Sequence, residues 1–192
     1  MPRVVFEYDP PERFVAGTVG EPGQRTFFLQ ASGNGRTTSV SLEKQQVLVL
    51  AERVEALLDE VARRSAGEAA APAVSPPAAE DKAPLESPVE EEFRVGTMAL
   101  AWDPDDEVVV IEAQAVTDDD DGRDSDDGSP LIDEDDENGP PLLRVRVSGT
   151  LARSFVVRAQ AVVAAGRPPC PFCGGPLDAA GHVCPRANGY RR

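Results

Sequence analysis

Apolar and polar positions alternate from the first residues. Val4, Phe6 and Tyr8 fall on one side and Val5, Glu7 and Asp9 on the other, the two-residue period of a strand. Asp9-Pro10-Pro11-Glu12 reads as a turn, followed by a second strand from Arg13 to Val19. Gly20-Glu21-Pro22-Gly23 turns the chain into Arg25–Gln30, and Gly33-Asn34-Gly35 turns it again into Thr37–Val40. Short strands joined by tight turns predict an antiparallel meander.

At Ser41 the period changes. Val47, Leu50, Ala51, Val54, Leu58 and Val61 recur at helical spacing and form one apolar stripe. Glu52, Arg53, Glu55, Asp59 and Arg63 mostly avoid it, so this is a core-packing helix rather than a site. Ser41 is placed to cap its start, Glu43 lies near its positive end, and Gly67 marks a stop.

Residues 66–91 break the pattern. Alanine, glutamate and the prolines Pro72, Pro76, Pro77, Pro84 and Pro88 leave few large apolar groups, too few to offset the entropy of ordering, so the sequence predicts a disordered linker. The first design then returns. Strands are predicted over Phe93–Trp102, Glu107–Val116 and Leu142–Val147, the last setting Leu143, Val145 and Val147 opposite Arg144 and Arg146. Glu112 reads as a surface polar position. Thr150 is the predicted cap of a second helix with Leu151, Phe155, Ala159, Val162 and Val163 on its apolar stripe, ended by Gly166 and Pro168-Pro169. Two strand-rich halves, each closed by one helix, are the suggested plan.

Composition refines this picture. Aromatics are 5% of the chain against 41% hydrophobic residues, so the core must be mainly aliphatic. The net charge is −15, and residues 118–141 hold twelve carboxylates against Arg123, which accounts for most of it. Such a run repels itself and stays solvated. It does not spell a Ca²⁺ loop: Thr117 and Arg123 stand where the Asp before Gly122 and Gly128 should be, and Val145 where Gly139 would need a bidentate Glu. No basic leader with an apolar stretch opens the chain and no run is long enough to span a membrane, so a cytoplasmic setting without membrane contact is expected.

The chemistry is concentrated at the end. Cys170-Pro171-Phe172-Cys173-Gly174-Gly175 is followed by His182-Val183-Cys184, which together use all three cysteines and the sole histidine. Cys170, Cys173, His182 and Cys184 make a Cys3His set suited to structural Zn²⁺. Gly174, Gly175, Pro176, Asp178 and Gly181 suit a short return between the pairs. A redox C-x-x-C, a disulfide and a catalytic zinc are the alternatives. The first belongs at a helix start after a strand, the second in an oxidising compartment, and the third with an open coordination position.

Around this cluster the charge is positive. Arg167, Arg186, Arg191 and Arg192 outnumber Asp178, with Tyr190 among them. Arg186, Tyr190, Arg191 and Arg192 are therefore candidate binding residues for a protein partner or for nucleic acid, the latter disfavoured by a sequence pI near 4.4. Phosphate-loop, dinucleotide-fold and nucleophile-elbow motifs are absent. With the histidine assigned to the metal, no Ser-His-Asp or Cys-His arrangement can be built.

The opening V-F-E-Y-D-P-P-E-R-F-V-A-G-T-V-G and the ending C-P-F-C-G with G-H-x-C-P-R-x-N-G-Y resemble a conserved hypothetical family of actinobacteria, a domain of unknown function. The resemblance spans most of the chain outside the linker and the acidic insertion. It marks Cys170, Cys173, His182 and Cys184 and brings no catalytic residue. It also implies companion proteins resembling a histidine phosphatase and a lipid-kinase-like protein. That makes an enzyme or accessory subunit in a phosphoryl- or nucleotide-related pathway the second function class. The expectation is an α+β domain over 1–166, an antiparallel sheet of about seven strands with two packing helices. A zinc knuckle over 167–192 follows, serving as a non-enzymatic adaptor that contacts a protein partner.

Overall fold

Seven strands and two helices form among the described residues. They run β1 (Val5–Tyr8), β2 (Arg13–Val19), β3 (Thr26–Gly33), β4 (Arg36–Leu42), α1 (Lys44–Arg64), β5 (Glu91–Asp103), β6 (Val108–Ala115), β7 (Leu142–Ser148) and α2 (Gly149–Ala164). The computed structural model describes residues 2–64, 80–117, 138–166, 170–175, 177, 182–184 and 186. The predicted stop at Gly67, residues 66–79 of the predicted linker, most of the acidic insertion, Arg167, Pro168-Pro169, Tyr190, Arg191 and Arg192 lie outside them.

The fold is α+β, with one mostly antiparallel open sheet in the order β1-β7-β6-β5-β4-β3-β2. Two antiparallel triplets, β2-β3-β4 and β5-β6-β7, each lead into a helix, in line with the suggested two-part plan. They meet through a parallel β4–β5 pair, because α1 carries the chain back before β5 begins. One sheet face and both helices share the core. Phe27, Leu29 and Ala31 of β3 join Ile111 and Ala113 of β6, Val145 and Val147 of β7, Leu50, Val54 and Leu58 of α1, and Phe155 and Ala159 of α2. The predicted α1 stripe is buried except for half-buried Val61. On α2, Phe155 and Ala159 are buried but Leu151, Val162 and Val163 are only half-buried, and Ala152 and Val156 complete the packed face.

β1 departs from the predicted meander. It pairs in parallel with β7, Val5 opposite Leu142 and Tyr8 opposite Val145, on the far edge from β2. Pro10 and Pro11 lack the N–H donors a hairpin to β2 would use, while β7 has an open edge to satisfy. The sheet then curls: Tyr8 Oη meets Thr38 Oγ1 of β4 at 2.8 Å, and the Glu12 N–H donates to Ser32 O at 2.8 Å.

The caps also differ by a few residues. Ser41 belongs to the β4 ladder opposite Phe28, and Glu43 precedes α1, its N–H donating to Gln46 Oε1 at 2.8 Å. Ser148, not Thr150, caps α2, accepting from the Leu151 N–H at 3.3 Å. In both cases the strand runs further than its apolar alternation, so the cap is whichever residue the ladder releases last.

The predicted linker 66–91 is structured in its described second half. Residues 80–88 form a strap over the edge strand β2 and the sheet face opposite the helices. Asp81 takes Arg13 Nη2 at 3.0 Å and Arg158 Nη1 of α2 at 2.9 Å. Arg158 Nε meanwhile covers the outward Ala16 carbonyl at 2.7 Å, closing a sheet edge that would otherwise be open to pairing. Leu85 lies on Gly17, where an added Cβ would stand 2.6 Å from it. Glu86 accepts from Ser32 and Thr37 hydroxyls, each at 2.8 Å, and its backbone N–H donates to Gln30 Oε1 at 2.8 Å. Few apolar groups are needed, because these paired polar contacts hold the segment instead. Glu112 is likewise not a surface position. It is fully buried and accepts from Arg144 Nε of the neighbouring strand at 2.7 Å.

Candidate metal centre

The turn chemistry at Cys170 builds the first half of the site. The Gly174 N–H donates to Cys170 O at 2.8 Å, and the Cys170 N–H donates to Gly175 O at 2.7 Å, closing the C-x-x-C segment on itself. Gly174 sits at φ +73°, a conformation that favours glycine. The tight loop turns the Phe172 N–H towards Cys170 Sγ at 3.4 Å. His182 and Cys184 close the other side, with Cys173 Sγ 3.2 Å from His182 Nε2 and Cys170 Sγ 3.8 Å from Cys184 Sγ.

The structure thus brings together all four predicted ligands, one donor atom from each, all within 4.8 Å of one another. For metal–sulfur bonds of about 2.3 Å in a tetrahedron, the sulfur–sulfur edge is about 3.8 Å, which is the observed Cys170–Cys184 separation. The cysteines are free thiols; that separation is far beyond a disulfide bond. Cys170–Cys173 lies on a turn rather than at a helix start, unlike a redox C-x-x-C. Four protein donors also leave no open position for catalysis.

Electrostatics favours a cation here. Burial opposes the Cys170 thiolate, but hydrogen bonds from the Cys173 and Phe172 N–H groups and the neighbouring thiols outweigh it and bring the thiol below its ordinary value. At Cys173 the Gly175 N–H favours ionisation. Burial and the adjacent Cys170 and Cys184 override it and hold that thiol above its ordinary value. Adjacent thiols cannot all ionise cheaply, and a central cation removes that conflict.

Cys170 and Cys184 are buried, whereas the apolar side chain inside each ligand pair is exposed. Phe172 is 63% exposed and Val183 80% exposed. Arg186 Nη1 donates to Phe172 O at 3.1 Å, which sets one predicted binding residue on the knuckle beside that ring. Phe172 and Val183 were not among the sequence-predicted binding residues. The signal was an apolar side chain inside each pair of candidate ligands. No helix among the described residues is long and apolar enough to cross a membrane.

A family model described as Protein of unknown function (DUF3090) matches residues 6–184. No curated protein and no solved structure matches the chain.

Proposed function

The chain belongs to that family of unknown function, and we propose that this member is a zinc-stapled binding module. The observation that carries the reading is the convergence of Cys170, Cys173, His182 and Cys184 within 4.8 Å. Three thiolates and an imidazole are soft donors in a closed tetrahedral set, which suits Zn²⁺ in a structural role. The reduced thiols fit a cytoplasmic setting. The bound metal supplies rigidity; the knuckle residues do the binding. Phe172 and Val183 are exposed apolar side chains and Arg186 is tied to the Phe172 carbonyl, a combination suited to a protein partner that presents apolar and acidic groups.

Metal analysis of freshly purified protein tests the first half, with one zinc per chain expected and none in Cys173→Ser. A photo-reactive side chain at Val183, activated in native cells, tests the second. A discrete protein adduct that disappears in Phe172→Ser while zinc is retained supports the reading. Adducts equally abundant from the exposed control position Val4 overturn it. If Arg186→Glu instead abolishes salt-sensitive binding to RNA or DNA, the knuckle is a nucleic-acid contact.

A further inference from the structure

Away from the knuckle, a second site stands at one end of the sheet. A cavity of about 410 Å³ opens where β3 and β5 begin, β4 ends and α1 starts. Three cations line it, Arg25, Lys44 and Arg94, in a chain whose net charge is −15. Glu43 and Glu91 also line it, so the wall keeps a positive excess.

Part of this charge has a local use. α2 has no basic residue in its last turn, and Arg25 Nη2 donates to Val162 O near that end at 3.3 Å. Arg94 pairs with Glu43, but both side chains are mostly solvent-exposed, and such a pair is readily exchanged. Lys44 Nζ also lies near the α2 end, 3.8 Å from where a Cβ on Gly166 would stand, but it has no hydrogen-bond or ion-pair partner among the described residues. Ser41 lines the same cavity and is 5% exposed, and its hydroxyl has no hydrogen-bond partner among the described residues. The backbone of Ser41 is covered while its hydroxyl is left to bond whatever occupies the cavity. The first-turn N–H groups of α1 lack intrahelical acceptors, and no acidic side chain occupies that turn.

We propose that this cavity binds the phosphoryl group of a small soluble molecule. Lys44 supplies the point charge, and Arg25 and Arg94 turn guanidinium N–H groups to the oxygens. Ser41 donates its hydroxyl, and the start of α1 adds backbone donors. A volume of about 410 Å³ exceeds a bare phosphate and leaves room for the molecule that carries it. The inference does not depend on the metal centre.

The test titrates the ¹⁵N-labelled full chain with inorganic phosphate and then with pyrophosphate, following amide shifts. Saturable shifts over Ser41–Gln46 are expected, weakening as salt rises. Lys44→Glu should bind about tenfold more weakly, and Ser41→Ala should lose a smaller factor. Lys44 is exposed, and the same spectra verify that its variant is folded. Shifts that stay linear for both probes overturn the proposal. So does saturable binding that Lys44→Glu leaves unchanged, because the anion would then sit elsewhere. Binding retained in Cys173→Ser separates this site from the knuckle.

Discussion

The sheet-and-helix body and the cysteine-rich end solve the same problem with different forces. The body buries a contiguous apolar set contributed by all seven strands and both helices, from Tyr8 to Ala159. The end has little to bury: Phe172 and Val183 face solvent, and four metal-ligating side chains converge instead. In the first region many weak contacts share the load, so losing one is graded. In the second, on the proposed reading, a single ion would replace them, so losing one ligand would be all-or-none. The difference teaches that a chain with an ample core can still carry an end held by a few donor atoms.

Removing the metal should break the comparison most sharply. A structural zinc is worth about 10–16 kcal/mol apparent in small peptides. Chelation or Cys173→Ser should therefore abolish metal content and unfold residues 170–186, with far-ultraviolet circular dichroism of α1 and α2 nearly unchanged. Global loss of helix would show that the two regions are one cooperative unit. The same end should shed its metal in acid, as protons compete for the thiolates.

The converse experiment strikes the body. Phe155 stacks on Phe14 with ring centroids 4.8 Å apart, and both are buried. Phe155→Ala should cost about 3–5 kcal/mol by leaving a cavity, measured by denaturant unfolding. Zinc stoichiometry of the folded variant should stay at the wild-type value.

Smaller effects concern the strap. Gly17→Ala places a methyl group 2.6 Å from Leu85 and should cost about 1–3 kcal/mol, with faster protease cleavage within 80–88. Adding Leu85→Ala should recover part of the loss. If the single variant is neutral, the strap is not tightly seated. The smallest effect is that of pH. Hydrogen bonding from Arg13 holds the Asp81 carboxyl below its ordinary value of 3.8, although burial opposes this. The clamp's contribution is thus complete above that range and lost as pH falls through the lower folded value. Hydrogen exchange at 82–88 should rise only in that acidic window, and Asp81→Asn should reduce the pH dependence to the part left by Glu86, which the Thr37 and Ser32 hydroxyls also hold below its ordinary value.

Much of this was legible because it is local. A two-residue period placed the strands within a few positions, the stripe of Val47, Leu50, Val54 and Leu58 placed α1, and the spacing of Cys170, Cys173, His182 and Cys184 drew one site from four residues. The misjudged positions depend on neighbours that sequence distance hides. Residues 80–88 look like linker because their stabilising partners, Arg13, Ser32, Thr37 and Arg158, belong to other elements. Glu112 looks like surface because its charge is answered by Arg144, thirty-two residues on.

By itself, then, the sequence determined element type, the buried face of α1 and which four Cys and His residues gather, since periodicity and turn chemistry act between residues a few positions apart. Only the tertiary structure decided that β1 joins β7 rather than β2, that a polar strap closes the far sheet edge, and that Ser41 and Lys44 come to share a cavity with Arg25 and Arg94. Each of these is settled by which distant backbone or charge lacks a partner, a condition that exists only once the chain has folded.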